Sequence, residues 1–237
     1  MRAVRLRMVT EPVAGAASLM LADLLDMKNV VFDLGAVLLT WEPVSLVHAA
    51  LAPHTPTAEA AHALVREMFH HEDWLGFDRG THTLEDAIGR MALRLALPEA
   101  RLQATLGSLG ERLEPIAVTV ELLGQLRARR DRGEALRLYY LSNMPAAYAR
   151  VLEERHAFFK WFDGGIFSGD VRLLKPQPEI FELLATRYRL QPGQTVFIDD
   201  SEPNIRAAQA LGWQAIHCTS PSELPVQLAA YLPVRST

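Results

Sequence analysis

Four short stretches carry groups that could do chemistry, each beside an apolar run. Val30-Val31-Phe32 runs into Asp33, Leu34 and Gly35, after which the apolar pattern resumes through Ala36, Val37 and Leu38. Leu138-Tyr139-Tyr140-Leu141 runs into Ser142 and Asn143, with Pro145 two residues on. Lys175-Pro176-Gln177-Pro178 places one lysine ahead of a helix start, and Val196-Phe197-Ile198 runs into Asp199, Asp200 and, further on, Asn204. A run apolar at every position suits a strand buried on both faces, and ligands of open α/β sheets gather at the carboxyl ends of such strands.

Each stretch suggests a role. Gly35, having no Cβ, allows a tight turn that presents its carbonyl to whatever Asp33 faces. Ser142 and Asn143, just ahead of a helix N-terminus, form an anion cradle with the free backbone N–H groups, although Asn143 alone also reads as a helix cap. The Lys175 ammonium can neutralise a phosphoryl group and nearby carboxylates; taken alone it reads as a solvated side chain. Asp199 and Asp200 repel each other, and burial would raise a pKa unless a cation stands between them. Mg²⁺ takes one or two carboxylates, a carbonyl, waters and a substrate phosphate, a set that Asp33, the Gly35 carbonyl and Asp200 supply.

These groups need a scaffold. Residues 43–112 carry helical spacing, with helix starts at Pro43, Thr57, Thr83 and Pro98. From Pro115 helices and strands alternate: a helix to about Arg130, a strand 136–141, a helix from Pro145, an apolar segment at Ile166-Phe167 and a helix from Pro178. A strand 195–198, a helix 203–211, a strand 214–217 and a helix from Ser222 complete the pattern. Such alternation predicts an α/β fold, a Rossmann-like and mostly parallel sheet covered on both faces, with a small helical cap inserted after the first strand. The expected division is an N-terminal extension 1–26, a core of 27–42 and 113–237, and a cap of 43–112.

In this order the stretches resemble the haloacid dehalogenase-like (HAD) hydrolases: FDLG at 32–35, LSN at 141–143, KP at 175–176 and FIDDSEPN at 197–204. WFDGGIFSGDVRLLKPQPEIF at 161–181 and FDRGTHTLEDA at 77–87 match as well, and the resemblance runs from Met27 to about Leu232. It implies that Asp33 is a nucleophile forming an aspartyl-phosphate that water hydrolyses, with Lys175 also catalytic. It further implies phosphate binding by Ser142, Asn143 and Lys175. Mg²⁺ is expected on Asp33, Gly35, Asp199 and Asp200, with Asp199 ligating directly, through water, or pairing with Lys175, and Asn204 supporting the loop.

Two positions depart from the family pattern. Most HAD phosphatases have a second aspartate two residues after the nucleophile, where it protonates the leaving oxygen; this chain has Gly35. Acid/base catalysis is typically worth about 10²–10⁴-fold, so slow turnover or a need for good leaving groups is expected. A glycine here recurs in a HAD branch that includes sugar-phosphate phosphatases. Arg172 stands where relatives often have glycine.

The resulting expectation is a cytoplasmic, Mg²⁺-dependent phosphatase, monomer or homodimer, acting on a small phosphorylated metabolite such as a sugar phosphate. The alternatives are a catalytically weakened HAD fold that binds a phosphate ligand or a partner, and a 2-haloacid dehalogenase. Of the other residues, His70 and Trp74 in the cap are candidates to meet substrate. The arginines at 127, 129, 130 and 132 suit a helix C-terminus. Among 237 residues, 49% are hydrophobic and the net charge is -4, so nucleic acid is not an expected partner. No apolar run has the length of about 18 residues needed to span a bilayer, so no membrane partner is expected either. The single cysteine, Cys218, fits a reducing compartment and a buried site after a late strand.

Overall fold

The computed structural model describes residues 27–232; the expected N-terminal extension lies outside the described residues. Strand β1 (Lys28–Phe32) is the middle of a five-stranded parallel sheet of β2 (Leu136–Ser142), β3 (Gly164–Phe167), β4 (Thr195–Asp199) and β5 (Gln214–His217), in the order β3-β2-β1-β4-β5. The chain leaves β1 to lay β2 on one side and later β4 on the other, so a topological switch point falls at the end of β1. Phe32 pairs in register with Tyr140 and Ile198. Asp33 therefore emerges level with Asp199 on β4 and one residue short of Ser142 on β2.

Six helices make up the segment inserted after β1: α1 (Pro43–Ala50), α2 (Ala58–Phe69), α3 (Glu72–Asp78), α4 (Leu84–Leu95), α5 (Glu99–Leu106) and α6 (Leu109–Arg112). Their starts follow local chemistry. Thr57 caps α2 by accepting from Ala60 N, and Thr83 and Asp86 form a reciprocal capping box on α4. Helices α7 (Ala117–Asp131), α8 (Ala146–Arg155), α9 (Ser168–Val171), α10 (Pro178–Tyr188), α11 (Glu202–Ala210) and α12 (Leu224–Ala229) complete the layers. One apolar core runs from the inserted helices (Met68, Trp74, Ile88, Leu102) through the sheet (Phe32, Leu138, Ile198) to α7 and α12. The opposite face of the sheet packs Val31, Leu141 and Phe197 against Phe181 and Trp213.

The turn after β1 corrects one expectation. The residue that takes the left-handed conformation is Ala36, at φ +56°, while Gly35 does not. Leu34 O accepts from both Leu38 N and Leu39 N at 2.8 Å, and Ala36 N donates to Leu39 O at 2.8 Å, locking the turn. A Cβ built on Gly35 would meet Trp41 at 3.7 Å, ordinary van der Waals contact. The backbone thus does not require glycine at position 35.

Arg172 also lies in the left-handed region, at φ +58°, a conformation that glycine adopts without steric cost. Cys218 is buried just after β5. The arginines near the end of α7 pair with acids: Arg127 with Asp131, Arg129 with Glu134, and Arg130 with Asp163. Among the described residues, no helix is long and apolar enough to cross a membrane.

Candidate active site

The carboxyl ends of β1, β2 and β4 open onto a cleft of about 280 Å³. Asp33, Gly35, Ser142, Asn143, Lys175, Asp200 and Asn204 line its floor, and residues of the inserted helices form its other walls. Asp199 is fully buried behind the floor.

Lys175 ties the floor together. Its Nζ lies 2.9 Å from Asp33 Oδ1 and 2.6 Å from Asp199 Oδ2, and the side chain is almost entirely buried. Asp199 also accepts from Ser201 N at 2.8 Å and from Asn204 Nδ2 at 2.9 and 3.1 Å. Hydrogen bonds to the charged form are what a buried carboxylate needs. Asp199 therefore holds Lys175 and the β4–α11 loop in place, while Asp200 is exposed toward the cleft.

Asn143 occupies an unexpected position. Its side-chain Nδ2 donates to Lys175 O at 2.9 Å, and its Oδ1 accepts from Lys175 N at 2.8 Å. The amide binds the lysine's own backbone, and α8 begins three residues later without a side-chain cap. Ser142 is buried and lines the cleft.

The electrostatics of the floor are strained toward negative charge. Burial pushes the Asp33 carboxyl up to about 7; Lys175 pulls it down, and Asp199 and Asp200 push it further up. Burial works against the Lys175 ammonium too, but Asp199 and Asp33 outweigh it and hold the amine above its usual value. Burial and the neighbouring Asp199 also raise Asp200. The carboxylates of Asp33, Asp199 and Asp200 bring oxygens within 4.8 Å of one another. Three carboxylates against one ammonium leave room for more positive charge, and an all-oxygen donor set suits a hard divalent cation.

The cap side of the cleft is aromatic. Trp41, Phe69, Trp74, Phe77 and Tyr148 form a continuous edge-to-face series with centroid separations of 5.2, 4.9, 5.4 and 5.2 Å. His70 and Trp74 line the cleft. So does Asp78, which had no role in the sequence reading although it lies in the FDRG phrase. Its burial arises from packing of α3 against the core, which local spacing does not reveal.

A switch-point cleft in a parallel sheet, floored by a lysine between two buried aspartates, defines a Rossmann-like α/β fold with a carboxylate-centred site. Residues 27–212 match the haloacid dehalogenase-like hydrolases, and the chain belongs to that family. It is 28% identical over 192 residues to the sesquiterpene phosphatase of Aspergillus oryzae, covering 81% of this chain and 90% of that protein. It is 33% identical over 99 residues to the phosphoglycolate phosphatase of Salmonella typhimurium, covering 42% of this chain and 37% of that one. The fold is similar to a HAD-family enzyme of Bacteroides thetaiotaomicron in complex with magnesium and inorganic phosphate, at TM-score 0.59 and 22% identity, covering 80% of this chain and 93% of the other.

Proposed function

We propose that this protein is a Mg²⁺-dependent phosphatase that hydrolyses a small phosphate monoester through an aspartyl-phosphate on Asp33. The observation that carries the reading is the buried Lys175 bridge between Asp33 and Asp199, beside Asp200, at the foot of the cleft. Asp33 is aimed by the β1 register and by its N–H bond to Ile198 O at 2.8 Å, so its carboxylate stays at the floor while substrate enters from the cap side. Lys175 offsets the charge of the phosphoryl group. Ser142 binds a phosphoryl oxygen, and Asn143 keeps Lys175 in place from behind. Asp33, Asp200 and the Gly35 carbonyl would hold Mg²⁺, with Asp199 beside them; the ion would neutralise the phosphoryl oxygens and lower the repulsion that Asp33 meets on approach.

The aromatic series from Trp41 to Tyr148 favours a monoester whose organic part is largely apolar over a hexose phosphate. A polyhydroxylated body would lose water at Phe69, Trp74 and Leu109 without regaining hydrogen bonds there. The relative named for sesquiterpenes agrees in this chemistry.

The test is phosphate release from p-nitrophenyl phosphate, then from a panel of apolar and sugar monophosphates, with Mg²⁺ or with chelator. Release that needs Mg²⁺ and disappears in Asp33→Asn supports the reading. Turnover of 2-haloacids that persists in chelator would replace it with dehalogenase chemistry. Binding of phosphate analogues with no release by folded protein would replace it with a ligand-binding module.

A further inference from the structure

Gly35 leaves the floor without a carboxylic acid two residues after Asp33, and the inserted helices carry a carboxyl into the same cleft. We propose that Asp78, presented by the inserted helix α3, is the catalytic acid and base of this site. This rests on the phosphatase reading above.

Asp78 is only 8% exposed, yet it lines the cleft together with Asp33, Ser142 and Lys175. It is the last residue of α3, where the helix dipole disfavours a negative charge, so helix stability does not account for an acid here. Asp73, in the same helix and equally buried, offers the contrast. Its carboxylate is bound by Arg94 at 2.8 Å and lies 3.0 Å from His71, the arrangement of a structural acid. Asp78 has no such cation among the described residues. Burial drives its carboxyl well above the usual range, and the hydrogen bond from Trp74 only partly opposes this. The shift favours the protonated form, the one from which a general acid acts.

The position of Asp78 is fixed to the floor. Ser168 Oγ donates to Asp78 O at 2.5 Å and also accepts from Met144 N at 2.8 Å, immediately after the Ser142-Asn143 pair. Two residues on, Gly80 at φ +75° packs so closely that a Cβ would lie 2.6 Å from Gly169 O. The FDRG turn is therefore clamped on the core, with Asp78 anchored beside the phosphate cradle. Facing it are Trp74 from its own helix and Tyr148 from α8, which Arg112 of α6 also faces; His70, at the end of α2, lines the same cleft.

The steps balance as follows. Asp33 Oδ attacks phosphorus, the bond from phosphorus to the ester oxygen breaks, and the Asp78 proton passes to that oxygen, releasing a neutral alcohol. Water then attacks the aspartyl-phosphate at phosphorus and gives its proton to Asp78. The bond to Asp33 breaks, phosphate leaves, and both side chains return to their starting states.

The test compares wild type, Asp78→Asn, Gly35→Asp and the double variant on p-nitrophenyl phosphate, whose leaving group needs no proton, and on a simple alkyl phosphate, whose leaving group does. Asp78→Asn is expected to lose about 10²–10⁴-fold in kcat/KM on the alkyl ester and less than about ten-fold in kcat/KM on the aryl ester, while kcat falls on both because the shared water attack also loses its base. The added Gly35→Asp, which meets only ordinary contact at Trp41, is expected to restore alkyl turnover. Equal losses of kcat/KM on both esters, no loss on either, or the leaving-group-dependent loss arising from His70→Gln instead would overturn the assignment. Wild type that cleaves neither ester would overturn the phosphatase reading itself, a distinguishable result.

Discussion

Asn143 and Lys175 clasp each other: the Asn143 amide donates to the Lys175 carbonyl at 2.9 Å and accepts from the Lys175 N–H at 2.8 Å. The clasp joins the end of β2 to the loop before α10 and sets the height of the lysine above Asp33 and Asp199. Asn143→Ala removes both bonds and leaves a buried N–H and C=O unpaired, at a cost of about 1–3 kcal/mol in stability. Turnover should fall as Lys175 drifts. Asn143→Asp keeps the acceptor and loses the donor, so it should fall between wild type and alanine in both denaturant midpoint and kcat.

Lys175→Met removes the only ammonium from between Asp33 and Asp199. A carboxylate left buried and unpaired destabilises by about 3–5 kcal/mol. The defect has a definite pH sign. Asp33, already pushed up by burial, loses the cation that pulls it down, so folding takes up a proton there and stability falls as pH rises. The melting temperature of Lys175→Met should therefore approach that of wild type in acid and drop below it toward neutral pH. Adding Asp33→Asn should recover part of the loss.

Mg²⁺ and the proton compete for Asp33. With its carboxyl pushed up to about 7 in the absence of metal, the group is increasingly protonated below that pH and must release the proton to bind a cation. Titrating Mg²⁺ by calorimetry should show an apparent Kd that is nearly flat above that pH. Below it, the Kd should weaken by up to about ten-fold per pH unit for each proton displaced. In Asp33→Asn this slope should be lost or reduced to the share that Asp200 carries.

Asp78 makes a stability prediction separate from its catalytic one. Its pKa is raised in the folded state, so between the unfolded value and the folded value the native chain holds a proton that the unfolded chain has released. Its contribution is then fully present below the unfolded pKa and is lost as pH rises toward the folded pKa. Asp78→Asn does not titrate. Thermal melts should show the variant gaining on wild type as pH rises above the usual carboxylate range.

The parts of the site that sequence made legible are those set by strand ends. Asp33, Ser142 and Asp199-Asp200 each follow an apolar run, and a parallel sheet brings such ends together, so their juxtaposition follows from local pattern plus topology. The roles of Asn143 and Asp78 depend on contacts between distant segments. Asn143 looks like a helix cap until the loop carrying Lys175 packs on it, and Asp78 looks like one more acid in FDRGTHTLEDA until α3 turns it into the cleft. Gly35 misleads for a related reason. Glycine at a turn suggests backbone need, but the positive φ falls on Ala36, so position 35 is a choice about a side chain.

The most direct measurement is a single turnover of p-nitrophenyl phosphate with Mg²⁺ in heavy-oxygen water, followed by mass analysis of both the released phosphate and the peptide containing Asp33. Attack of Asp33 on phosphorus followed by water attack on phosphorus predicts the label in phosphate, an unlabelled Asp33, and no release by Asp33→Asn. Label in the Asp33 carboxylate, or labelled phosphate formed equally by Asp33→Asn, would contradict it.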